Sequence, residues 1–331
     1  MTMKTSNMMK SAVVTAAIAA ATSSIAAAAA ASAEAGEPVR LETSGGVIHG
    51  TLLAPQGDGK HPVVLIIAGS GPTDRDGNSA ALPGPNNSLK LLAEGLAARG
   101  IASLRYDKRG IAASAAAATS EADLRFETYA DDAAAWATRL RGDARFSTVS
   151  ILGHSEGSLL GMLAAKQANV DGFISVAGAA QSAGDLLRTQ LKPQLPPALW
   201  TESERILGGL ESGKTTPDVP AALQSLYRPS VQPYMISWLR YTPTREIATL
   251  AMPVLIAQGT TDIQVAASEA GALRAARPAS TLVLIEGMNH VLKAVPGDAA
   301  QQAASYSNPA LPVVPELIEQ VSQFVKSLQK R

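Results

Sequence analysis

Cysteine is absent from the 331 residues. With it go disulfides, thiolate metal ligands, a cysteine nucleophile and lipid attachment at an N-terminal cysteine. A surplus of one charge is also lacking: 28 basic and 28 acidic residues balance to a formal net charge of +0. No long basic block or stripe stands out, so nucleic acid is not an expected partner. Histidine is scarce, at His49, His61, His154 and His290, which leaves few places for imidazole chemistry. The missing cysteines do not exclude an oxidising compartment. At this length, with 46% hydrophobic residues, the chain buries a sizeable core without disulfides.

The first segment reads as a targeting signal rather than as fold. Lys4 and Lys10 precede an alanine-rich apolar run from Ala12 to Ala31, and Ala31-Ser32-Ala33 supplies small residues for cleavage. The run is only weakly apolar and holds Thr22, Ser23 and Ser24, which suits a cleaved signal better than a membrane anchor. Residues 1–33 are therefore expected to be a signal peptide, with a mature chain from about Glu34. That chain would be exported, to a bacterial periplasm or beyond, with no stable membrane insertion.

Beyond it the pattern is strand–helix alternation. Val39–Thr43 and Val47–Leu53 flank Ser44-Gly45-Gly46, a turn suited to an antiparallel hairpin. Pro62–Ala68, Ile101–Tyr106, Val149–Leu152, Gly172–Val176, Pro253–Ala257 and Thr281–Ile285 are short apolar runs. Unbroken apolar strands imply a mostly parallel sheet buried on both faces. Helical spacing marks Ser88–Ala98, Thr128–Arg141, Ser158–Gln167, Ala266–Ala276 and Val314–Leu328. Together they predict a doubly wound α/β sheet. Ala112–Ala118 reads as a loop or short helix.

Residues 181–248 break the alternation. They hold eight prolines and no convincing strand, and a structureless loop of that length does not suit a compact domain. The segment is expected to be a helical cap inserted between two core parts, 34–180 and 249–331. It carries Trp200, Trp238, Tyr227, Tyr234 and Tyr241. These aromatics serve either as the insertion's own core or as lining over an apolar substrate.

The chemistry centres on Gly153-His154-Ser155-Glu156-Gly157. A G-x-S-x-G run carries weight only in context, and here a strand precedes it and a helix follows. That places Ser155 on a sharp turn, its hydroxyl lifted above the sheet edge. A side chain at Gly153 or Gly157 is expected to collide with the turn or the neighbouring strand. A serine hydroxyl needs a base. His290 alone among the histidines follows Ser155, and it comes after the last apolar strand. The orienting acid is assigned to Asp262, at the end of the preceding strand run. Asp185 is the serious alternative, and Glu269 and Glu286 are weaker ones. His154 is expected to point away and serve packing.

An oxyanion hole is expected from the backbone N–H groups of Glu156 and Ser70, the latter in Gly69-Ser70-Gly71. Asp74-x-Asp76-x-Asn78 has the start of a calcium loop but lacks its glycine and glutamate. Asp74, Arg75 and Asp76 are instead expected to brace the loop. No cofactor and no metal are called for.

Five motifs together resemble the α/β-hydrolase superfamily, and within it a bacterial esterase and serine-aminopeptidase-like branch. They are G-S-G-P-T-D-R-D-G-N (69–78), R-Y-D-K-R-G (105–110), G-H-S-E-G (153–157), Q-G-T-T-D (258–262) and G-M-N-H (287–290). The resemblance implies an α/β-hydrolase fold, a Ser155–Asp262–His290 triad, and Ser70 and Glu156 as oxyanion donors. It implies hydrolysis of a small-molecule carboxylic ester through an acyl-enzyme. Peptidase or aminopeptidase, thioesterase and acyltransferase activities are the alternatives on the same triad, and a non-catalytic binding protein is the remaining one. One departure stands out. The branch often reads R-G-x-G-x-S, whereas this chain reads R-G-I-A-A-S (109–114), so Ala112 is expected to alter that loop's turn.

Overall fold

A computed structural model describes residues 36–57 and 59–329; the expected signal peptide lies outside them. Eight strands form one sheet: β1 (Glu37–Thr43), β2 (Gly46–Leu53), β3 (His61–Ile67), β4 (Ala102–Tyr106), β5 (Phe146–His154), β6 (Gly172–Val176), β7 (Val254–Gly259) and β8 (Thr281–Ile285). Their order is β1-β2-β4-β3-β5-β6-β7-β8. β2 runs antiparallel to β4, while β4, β3, β5, β6, β7 and β8 are mutually parallel. The hairpin and the parallel sheet expected from the apolar runs are both present.

The helices are α1 (Ser88–Ala97), α2 (Phe126–Gly142), α3 (Glu156–Ala168), α4 (Ala183–Leu191), α5 (Pro197–Glu211), α6 (Gln224–Tyr227), α7 (Gln232–Trp238), α8 (Pro243–Ala248), α9 (Ala267–Ala276), α10 (Ala299–Ser305) and α11 (Pro315–Ser327). The continuous apolar strands are explained by packing on both faces. Along β3, Val63, Leu65 and Ile67 join a core with α2 and α3. Val64, Ile66 and Ala68 join a second core with α1 and α11. On α11, Leu317, Ile318, Val321 and Val325 are buried, and burying four such side chains contributes on the order of 6–12 kcal/mol before entropy.

The 181–248 segment is helical, α4 to α8, and lies between β6 and β7 in the chain. One of its aromatics serves the insertion's own core, and three pack on the core beneath it. Tyr227 is buried in the insertion's own small core, hydrogen-bonded to Ser203 at 2.9 Å. Trp238 stacks on Phe126 of α2, with centroids 5.9 Å apart and planes at 6°. Tyr234 and Tyr241 also pack on Phe126.

Helix α10 has no counterpart among the expected elements, because its sequence, Ala-Ala-Gln-Gln-Ala-Ala-Ser, carries no apolar period. Asp298 caps it by accepting from the Gln301 amide at 2.9 Å. Ala112–Ala117 forms a 3-10 turn. Ala112 there has φ 43°, the left-handed conformation that glycine adopts freely. The loop thus keeps a glycine-type turn despite its alanine. Asp107 Oδ2 holds it through the Ala113 amide at 3.1 Å, and Ser114 Oγ accepts from the His49 amide at 2.9 Å.

Candidate active site

Because β3 to β8 are parallel, the loops after β3, β4, β5, β7 and β8 emerge at one sheet edge, where ligand sites of open α/β sheets form. The Gly69–Gly71 loop, Asp107–Arg109, Ser155, Asp262 and His290 all lie just past those strand ends.

Ser155 occupies the turn between β5 and α3 with φ 56° and ψ −122°, a conformation that costs about 1–3 kcal/mol. Two backbone contacts hold it there. Its amide donates to Val176 O of β6 at 3.0 Å, and its carbonyl accepts from the Ser158 amide at 2.9 Å. The flanking glycines are required by close packing. A Cβ at Gly153 would meet Gly157 O at 2.0 Å, and one at Gly157 would meet Ile67 O at 2.4 Å and Ala68 O at 2.7 Å. Among the described residues, other strained positions gather at the same edge: Ala177 after β6 (φ 51°) and Leu292 after β8 (φ 65°).

The loops after β7 and β8 bond to each other before their side chains meet. Thr260 N donates to Ile285 O at 3.0 Å, Thr261 N to Met288 O at 3.2 Å, and Gly287 N to Thr260 Oγ1 at 2.9 Å. On this frame His290 Nδ1 lies 2.8 Å from Asp262 Oδ2. Asp262 accepts three further bonds, from Gln258 Nε2 at 3.1 Å and from the amides of Gln264 and Val265 at 2.8 and 2.9 Å. Burial pushes the Asp262 carboxyl up, but the His290 charge and these hydrogen bonds outweigh it and hold the group below its ordinary value. Asp262 is thus an ionised, fully engaged carboxylate against one imidazole nitrogen.

The competing acids are placed elsewhere. Asp185 lies in the first turn of α4 with its side chain 61% exposed, facing Ser182 and Arg188. Glu269 accepts from the amides of Ala180 and Gln181 at 2.8 and 3.1 Å, so it pins the start of the insertion. Glu286 is exposed.

His154 does not simply point away. Its Nε2 sits 2.8 Å from His290 O, and the two rings are 4.9 Å apart. A carbonyl partner requires the hydrogen on Nε2. Burial and then the His290 charge lower His154 to about 4, so it is a neutral donor that shapes the His290 loop.

The motif Asp107-Lys108-Arg109 fastens three parts of the site. Asp107 takes Arg75, through the guanidinium at 2.6 Å and the amide at 2.8 Å. Arg109 forks onto Asp132 at 2.6 and 3.0 Å. Lys108 reaches Gly69 O at 2.6 Å and Glu156 Oε2 at 2.7 Å. The expected bracing of the β3 loop is present as well. Asp74 Oδ1 accepts from the Asp76 and Asn78 amides at 2.9 Å each, and Asp76 pairs with Arg105 at 3.0 Å.

Lys108 and Gln258 have no site role in the sequence reading, and Tyr234 enters it only as one of five insertion aromatics. A signal existed for the first: three consecutive charges directly after an apolar strand demand buried partners. Gln258 is a polar residue inside a strand's apolar run. For Tyr234 the pattern does not reveal its partner, which depends on how the insertion folds back.

A cavity of about 350 Å³ opens between this edge and the insertion, within the range of small-molecule sites. Ser155, Ser70 and Glu156 line one side, and Leu186, Leu226 and Trp238 line the other. Its charged lining residues are both paired: Glu156 with Lys108, and Arg228 with Glu121.

Fold and edge geometry define the class: this is an α/β-hydrolase fold with a helical insertion over the edge that carries Ser155. Residues 87–209 match the family model described as serine aminopeptidase, S33. The esterase EstD of Thermotoga maritima is 28% identical over 216 residues, which is 65% of this chain and 50% of that protein. The chain thus spans about half the length of this curated relative. Among solved structures, ferulic-acid-bound Est1E from Butyrivibrio proteoclasticus superposes with a TM-score of 0.59, at 18% identity, over 87% of this chain and 98% of that one. The α/β hydrolase GrgF from Penicillium sp. sh18 gives 0.57, at 18% identity, over 88% and 97%. At that identity the structural matches establish the fold alone. In sequence the chain resembles the esterase and S33 serine-aminopeptidase branch of α/β-hydrolases.

Proposed function

We propose that the protein is a serine esterase that cleaves small or medium uncharged carboxylic esters. In this reading Ser155 Oγ attacks the ester carbonyl and its proton passes to His290, whose Nδ1 is held by Asp262. The oxyanion rests on the Ser70 and Glu156 amides. Collapse expels the alcohol, which takes the proton from His290, and leaves an acyl-Ser155. His290 then activates water, which releases the acid. The relative named an esterase and the strained, lifted Ser155 both support this reading.

The observation that carries ester over aminopeptidase is the state of Glu156. The S33 name makes an amine-binding carboxylate worth seeking, and Glu156 is the carboxylate lining the cavity. Its Oε2 is taken by Lys108 at 2.7 Å and its Oε1 by the Tyr234 hydroxyl at 2.6 Å. With one oxygen on a buried ammonium and the other on a hydroxyl, the charge of Glu156 is already neutralised inside the protein, which leaves it a weak site for a substrate ammonium. A cavity without an unpaired charge suits a neutral ligand. Thioester cleavage and acyl transfer share the acyl-enzyme and remain readings of the same site.

Two measurements test the proposal. A fluorophosphonate should label wild type and not Ser155→Ala. A panel of p-nitrophenyl esters, thioesters and aminoacyl anilides should show turnover of the esters; turnover of the anilides alone would replace esterase by aminopeptidase. We further propose export with removal of residues 1–33, supported by Lys4, Lys10, the Ala12–Ala31 run and Ala31-Ser32-Ala33. N-terminal sequencing of the exported protein should begin at Glu34.

A further inference from the structure

We propose that Lys108 is a positioning residue that holds the Gly69–Ser70 peptide with its N–H towards the oxyanion, and that Glu156 and Tyr234 tie this hold to the insertion. The inference rests on the reading of Ser155 as nucleophile. Gly69 O and the Ser70 N–H belong to one planar peptide unit. All described peptide bonds are trans, so these two groups point in opposite directions. Whatever grips the oxygen therefore aims the hydrogen. The Lys108 side chain is 2% exposed, with Nζ 2.6 Å from Gly69 O. Glu156 Oε2 receives a second hydrogen, and the ring of Tyr129 lies 5.4 Å away at its centroid, within cation–π range. The buried ammonium thus rests on two protein acceptors, one of which is the oxygen of this peptide.

The peptide needs such a hold because the glycines beside Ser70 do not fix its orientation. Gly69 and Gly71 flank Ser70, and Gly71 has φ 70°, so neither neighbour's side chain restricts rotation. The unit also lies directly against the nucleophile: a Cβ at Gly69 would come within 3.2 Å of Ser155 Cβ. A flipped peptide would turn its carbonyl oxygen towards the oxyanion's place and strip a buried ammonium of an acceptor. Glu156 completes the arrangement. Its amide is the second oxyanion donor, and its carboxylate neutralises Lys108. Both donors, one after β3 and one opening α3, are thus joined through a single buried ion pair. Tyr234 of α7 donates to the same carboxylate at 2.6 Å, so seating of the insertion reaches the hole through one hydrogen bond.

Lys108→Met alone would strand a buried Glu156, so the first test is Lys108→Met/Glu156→Gln, which removes both charges. The readouts are kcat and KM on a p-nitrophenyl ester, affinity for a trifluoromethyl ketone whose adduct with serine carries the oxyanion, and the thermal midpoint. Loss of one oxyanion donor lowers kcat by about 100-fold or more. Ketone affinity should fall in step, with KM and midpoint close to wild type, because the hold acts on the transition state alone. Unchanged kcat and ketone affinity would overturn the proposal, as would losses that simply follow a lowered midpoint. Tyr234→Phe keeps the ion pair and tests the tie even where the double variant does not fold. It should lower kcat and ketone affinity together by about 10-fold to 100-fold, the loss of one hydrogen bond to a charged group, and unchanged values would remove the insertion from the mechanism. Fluorophosphonate labelling of wild type and Ser155→Ala runs alongside. Equal labelling of both would sink the nucleophile reading and this one with it; Ser155-dependent labelling with an unimpaired double variant sinks this one alone.

Discussion

The imidazole of His154, the residue before the candidate nucleophile, donates to the main-chain oxygen of His290, the candidate base, across 2.8 Å. Two loops that are 136 residues apart in sequence are thereby locked by one neutral hydrogen bond. The bond has a pH limit.

Burial holds His154 at about 4 in the folded chain, against 6.5 when exposed. The unfolded chain therefore binds the extra proton first as pH falls. The stability at stake is fully present above about 6.5 and is lost progressively towards 4. A gap of that size corresponds to about 3 kcal/mol. Urea unfolding between pH 7 and 4 should show wild type losing more stability than His154→Gln. Parallel curves for the two proteins would show that His154 is not the titrating group.

Asp262→Asn should leave the fold intact and reduce kcat by about 10⁴-fold. Oδ1 takes two amides and would remain an oxygen, as the Gln264 and Val265 bonds require. The amide nitrogen would then face Gln258 and His290 Nδ1, turning two acceptor contacts into donor contacts and favouring the wrong imidazole tautomer. Steady-state kinetics with a circular dichroism control checks this. Turnover near wild type would reopen Asp185.

Gly157→Ala should cost at least about 3 kcal/mol, the upper range for overpacking, because its Cβ has two carbonyl oxygens of the β3 end inside contact distance. Both lie on the backbone of a central strand, where no side chain can move away. Denaturant unfolding of the variant tests it, and a loss under 1 kcal/mol would mean that α3 shifts readily on the sheet.

Ala112→Gly should stabilise the protein by up to about 1.5 kcal/mol. Relief of the left-handed φ of 43° favours glycine by about 1–2 kcal/mol, and glycine's extra unfolded-state freedom returns about 0.4–1 of that. A thermal midpoint equal to or below wild type would show that the 3-10 turn carries no strain.

Much of the architecture was legible from local pattern. Six of the eight strands emerge from short apolar runs between Gly, Pro and Asp, because a sheet covered on both faces allows no polar alternation, and β1 and β2 emerge from the turn between them. Helix α10 escaped because its hold on the fold is polar: Gln302 donates to Thr261 O and Pro296 O at 3.0 Å each. The conformation of Ala112 was not legible from residue type, because φ is set by surrounding bonds, here from Asp107 and Ser114.

Chain order and residue scarcity are properties of the sequence by itself. They nominated Ser155, one downstream histidine and an acid after the penultimate strand, and they required glycine on either side of the elbow. The tertiary structure alone decided what those residues touch. It set Asp262 rather than Asp185 against His290, because β7 and β8 are neighbours and their loops bond to each other. It turned His154 from filler into a lock between loops. It also closed both oxygens of Glu156 with a lysine and a tyrosine from distant segments. Such pairings depend on which strand ends share an edge, and hydrophobic periodicity carries no information about polar contacts between loops that are remote in the chain.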